Sequence, residues 1–74
     1  MNAREWIDAY ADRLGTDAPT REEFAAILDL AAEAAHASER VAAPVACWVS
    51  ARAGKPLEES IAVAREIGAD ADDG

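Results

Sequence analysis

Apolar positions recur along this chain at helical intervals, and nowhere do they alternate with polar ones as a strand requires. In the first segment Trp6, Ile7, Tyr10, Ala11 and Leu14 share one side, with Glu5, Asp8 and Asp12 opposite. That pattern predicts an amphipathic helix docked by its apolar face. Asn2 and Glu5 stand at the spacing of an N-cap and its N3 partner, and Gly15 suits a left-handed closing residue. Thr16 to Pro19 reads as a loop. Thr20 and Glu23 form a Thr-x-x-Glu capping box ahead of a second helix that runs to about Ser38. Its main stripe is Phe24, Ile27, Leu28, Ala31 and Ala35. Leu30, with Ala26 and Ala37, makes a second and weaker stripe, so this helix is expected to face two neighbours or to offer one side to another molecule.

Pro44 suits the first turn of a third helix, from about Pro44 to Ala53, and Gly54 ends it. Between Val41 and Ala51 there is no charge, and Ser50 carries the only hydroxyl. A helix apolar nearly all round should be the most buried of the domain, and Trp48→Ala should then cost roughly 3–5 kcal/mol. Pro56, Glu58 and Glu59 fit the opening of a fourth helix. Its Leu57, Ile61, Ala64 and Ile67 point to the core, and Gly68 is expected to close it. The fold expected is all-α, a compact four-helix domain over residues 1–68 with a disordered acidic tail over 69–74. Short connections favour antiparallel neighbours. Trp6, Phe24, Leu28, Trp48 and Ile61 are the expected core.

Composition narrows the function. Of the apolar residues 20 are alanine, so few larger side chains supply the core of a 74-residue chain. Small cores rarely give more than roughly 3–5 kcal/mol, so close helix packing or a partner should matter. Fifteen acids against seven bases leave a net charge of −8, which argues against binding nucleic acid. One cysteine and one histidine exclude a disulfide framework and a Cys/His zinc site. No apolar run can span a bilayer and the N-terminus lacks a signal-peptide core, so a cytoplasmic location is expected.

Few residues suggest chemistry. His36 lies near Glu33, Asp29 and Arg40 on the polar side of the second helix. Two carboxylates and an imidazole can hold a weak divalent ion, but a solvated charge network is the simpler reading. Cys47 sits among apolar residues, which suits a packing thiol better than a reactive one. Serines 38, 50 and 60 lack the Gly-x-Ser-x-Gly setting of a nucleophile, and no glycine-rich phosphate loop is present. No catalytic, cofactor-binding or metal constellation is therefore expected. Arg40, Arg52 and Lys55 form a stretch of charge +3 without an acid. Helix-end cations explain it, and so would contact with an acidic partner.

The run His36-x-x-Glu39-Arg40-x-Ala42-Ala43-Pro44, preceded by Leu28-Asp29-Leu30-Ala31, resembles a small actinobacterial all-helical domain of unknown function. That domain stands alone or follows MobA-like molybdenum-cofactor guanylyltransferases. The resemblance implies a cytoplasmic accessory module of molybdopterin-guanine dinucleotide biosynthesis, with a MobA-like nucleotidyltransferase as partner. It implies no transferase activity in a chain without that enzyme's nucleotide loop. The leading expectation is a non-catalytic interaction module, with Arg40, Arg52, Lys55 and Leu30 as candidate contacts and a homodimer formed through the Leu30 stripe. The alternatives are a small-molecule or metal-binding protein using His36 and, more remotely, an acyl carrier, whose Asp-Ser-Leu-like site is missing from the start of the second helix. No cofactor is expected.

Overall fold

The computed structural model describes the backbone of residues 1–73 and the side chains of residues 1–70. Among the described residues there are four helices: α1 (Ala3–Leu14), α2 (Arg21–Ala37), α3 (Ala42–Ala53) and α4 (Leu57–Asp73). Local chemistry sets the ends of the first two. The Asn2 side chain accepts from the Glu5 N–H at 2.8 Å while the Glu5 carboxylate accepts from the Asn2 N–H at 3.3 Å. Thr20 and Glu23 repeat this capping box at 3.1 and 2.8 Å. Each box satisfies two backbone donors that a helix start leaves free. Gly15 closes α1 at φ 77°, with the Gly15 and Thr16 N–H groups returning to Asp12 and Ala11 in a Schellman pattern. Gly54 closes α3 at φ 69°.

Two boundaries differ from expectation. α3 begins at Ala42, two residues before the expected Pro44 start. The Glu39 and Arg40 carbonyls accept from Ala42 and Ala43 N–H, so the turn feeds directly into the helix. Pro44 still falls in the first turn, where its missing N–H breaks no bond. α4 passes through Gly68 instead of ending there. A Cβ built on Gly68 would lie 3.7 Å from the Ala37 Cβ, so this glycine marks the approach of α4 to the end of α2. Ala69 and Asp70, the first residues of the expected tail, are exposed positions on that helix. The side chains of residues 71–74 lie outside the described residues.

The organising element is α2. Both α3 and α4 pack along it, and α1 makes no comparably extended contact. Leu30, at 4% exposure, is the most buried large side chain, joined by Ile61 and Ala11. The expected core is corrected here in four of its five members. Trp6 (52% exposed), Leu28 (57%) and Trp48 (62%) lie largely in solvent and Phe24 is half-buried, whereas Ile61 holds its place. Nor is α3 the buried centre: Val41, Val45, Trp48 and Val49 are all exposed, and only Ser50 on this helix is buried. A helix with a single charged residue, Arg52 in its last turn, has little to fix which face turns outward. The face that packs is then chosen by the small residues, which let α3 lie close to α2. Among the described residues no helix is long and apolar enough to cross a membrane.

Candidate interaction surfaces

The exposed side chains on α3 form a pattern. Val41, Val45, Trp48 and Arg52 follow one another at intervals of four, three and four, which places them on one stripe, with Val49 beside it. The Arg52 guanidinium lies 5.2 Å from the Trp48 ring centroid, in cation–π range. Because α3 and α4 splay apart on α2, an open groove of about 510 Å³ lies between them, floored by Leu30 and walled by Val45, Val49, Val63 and Ile67. Its polar edge is short: Lys55, paired with Glu59 at 3.6 Å, and Ser60. The buried Ser50 hydroxyl donates to Ser60 Oγ at 2.7 Å, joining α3 to α4 below the groove.

A second bare surface lies on α1. Trp6 and Tyr10 are one turn apart and stack at 4.9 Å, and Leu14 continues their line at 63% exposure. Sequence periodicity marked this apolar face correctly, but it points to solvent instead of docking. Ala11 is buried and Ile7 half-buried, so α1 seats on the edge of its stripe. Arg4 lies 5.6 Å over the Phe24 ring and pairs with Asp8 at 3.2 Å. Arg4 and Phe24, with Arg21, Ala25 and Leu28, line a shallow hollow between α1 and α2.

The residues singled out from sequence fall in different places. Leu30 is internal, so the expected dimer contact through its stripe is corrected: a side chain this buried in the single chain has nothing to offer another. Arg40 is exposed at the entry to α3, while Arg52 and Lys55 stand at its far end, roughly 18 Å away along a helix of this length. Arg52 lies on Trp48 and Lys55 on Glu59, so each cation has its own contact. His36, Glu39, Arg40 and Pro44 are all exposed around the α2–α3 connection. Glu39 and Arg40 hold that connection through their backbone carbonyls. Glu33, near His36, pairs instead with Arg65 of α4 at 3.1 Å. Among the described residues no three His, Cys, Asp or Glu side chains are grouped to hold a metal ion. Cys47 faces inward with its sulfur 4.0 Å from the Ile27 carbonyl, beside a hollow of about 230 Å³ that Leu30 also lines. Burial pushes its thiol pKa up, as expected for a packing cysteine.

The family described as "Domain of unknown function (DUF6457)" matches residues 1–72. The chain belongs to this family. No curated protein and no solved structure matches it. The family assignment extends over both bare surfaces, so neither lies outside the domain. The surfaces on α1 and α3 are what sequence reasoning missed. Their residues were visible as apolar, but the signal that they face outward is the partner-free arrangement of α3 and α4 on α2.

Proposed function

We propose that this domain is a non-catalytic interaction module that docks on a protein through the Trp6–Tyr10–Leu14 face of α1. The observation that carries this is surface area. The chain presents 5848 Å² of accessible surface, where a folded monomer of 7.8 kDa presents about 4,400 Å². Both tryptophans are more than half exposed, and tryptophan and tyrosine dominate the energetics of protein interfaces. Glu5, Asp8 and Asp12 lie on the opposite side of α1 and, of its charged residues, only Arg13 falls beside the aromatic pair at helical spacing, so the matching surface is an apolar groove.

The resemblance of the His36–Pro44 run supports a MobA-like guanylyltransferase as that partner, and hence an accessory role in molybdopterin-guanine dinucleotide biosynthesis in the cytoplasm. Arg40, an exposed residue of that run, belongs to the same proposal as a contact to an acidic group of the partner. The test is capture of a purified MobA-like guanylyltransferase by the immobilised domain. Wild type should retain it, and Trp6→Glu with Tyr10→Glu should release it while far-UV helicity stays. Equal capture by both, or none by wild type, would overturn the assignment.

A further inference from the structure

We propose that a second copy of this chain covers the α3 stripe and the α3–α4 groove, forming a two-fold pair with α3 against α3. The inference rests on the interaction reading above and adds the occupant of its other bare surface.

Charge selects the occupant. In a chain of net charge −8, almost any surface that meets its own copy sets acid against acid. The α3 stripe avoids this: from Val41 to Ala51 there is no ionisable side chain except the inward Cys47. A two-fold axis passing near Trp48 therefore brings together only apolar groups and the Arg52 heads that flank them. The groove adds Val63 and Ile67, with its one acid, Glu59, already paired to Lys55.

Area agrees. The exposed fractions of Val41, Val45, Trp48, Val49, Val63 and Ile67 amount to roughly 700 Å² per copy, and a stable interface buries about 800 Å² per partner. Ala42, Ala46 and Ala53 border the same groove and supply the remainder, while their small side chains permit close approach of the two backbones. A two-fold contact also closes on itself, so the pair ends at two copies.

Sedimentation equilibrium on the full chain, from low to hundreds of micromolar, tests this. Wild type should sediment as a dimer that dissociates on dilution. Val49→Glu and Val49→Lys should each be monomeric with wild-type helicity, because residue 49 is exposed and a two-fold axis sets like charges face to face. An equimolar mixture of the two variants should restore the dimer. A wild-type monomer throughout, a dimer that survives either substitution, or a mixture that stays monomeric overturns the proposal. The enzyme-capture test turns on Trp6 and Tyr10, which these variants leave intact, so either reading can fail while the other stands.

Discussion

Leu30→Ala and Trp48→Ala should separate the inside of this domain from its assembly surface. Leu30 is 4% exposed and lines the hollow beside Cys47. Its truncation loses about 2 kcal/mol of transfer free energy. The vacated space, roughly 80 Å³ adjoining a hollow that already exists, cannot readily collapse and adds up to about 2 kcal/mol at 24 cal/mol per Å³. The expected cost is therefore about 3–4 kcal/mol, most of the stability a domain of this size has. Trp48 is 62% exposed, so Trp48→Ala forfeits only its covered edge and the Arg52 contact, about 1–2 kcal/mol in the single chain. In the pair it forfeits more, because the partner covers the rest. Urea unfolding followed by far-UV circular dichroism should thus show a large Leu30→Ala effect at every protein concentration. The Trp48→Ala deficit should grow with concentration, as mass action requires when a dimer is lost. A Trp48→Ala deficit that exceeds that of Leu30→Ala at the lowest concentration would refute the burial argument.

Three further outcomes follow from the same geometry. Gly68→Ala should raise stability by about 0.5–1 kcal/mol, since Gly68 is inside α4 and its new Cβ meets Ala37 at contact distance, whereas Gly54→Ala should lower it by about 1 kcal/mol at a left-handed cap; urea midpoints decide both. Thr20→Ala should cost about 1 kcal/mol globally, while Asn2→Ala should fray α1 and leave the midpoint of the α2–α4 body in place, as residue-resolved hydrogen exchange would show. Cys47, its thiol pKa raised by burial, should alkylate with iodoacetamide more slowly folded than unfolded in the ordinary thiol range. With the folded pKa raised, its stabilisation is complete below the unfolded thiol pKa and is lost as pH rises through the folded one, so Cys47→Ala should flatten the alkaline fall in stability. Equal alkylation rates would remove the basis for it.

Helix existence and most helix ends were legible because they are local chemistry. Asn2 with Glu5, Thr20 with Glu23, and the glycines at 15 and 54 act within one turn, and sequence spacing reports them directly. Gly68 misled because a glycine can close a helix or let two helices approach, and only the position of Ala37 decides between them. Burial was less legible. Hydrophobicity states which side chains water disfavours, and leaves open what covers them. α3, uncharged from Ala42 to Ala51, has no polar face to fix its rotation, so that run reads equally as a buried centre or a surface awaiting a second chain. Leu30 and Trp48 exchanged roles for that reason. The smaller side chain sits where three helices converge, and the larger lies on the side where only two helices are present.

Trp48 reports directly whether the α3 stripe, bare in the single chain, is covered in a pair. In a Trp6→Phe background Trp48 is the sole indole, so its emission maximum is followed as the protein is diluted from hundreds of micromolar to below one. Blue-shifted emission is expected at the concentrated end, moving red on dilution with the same midpoint as the sedimentation equilibrium. Red emission that stays constant over the whole range would contradict the pairing.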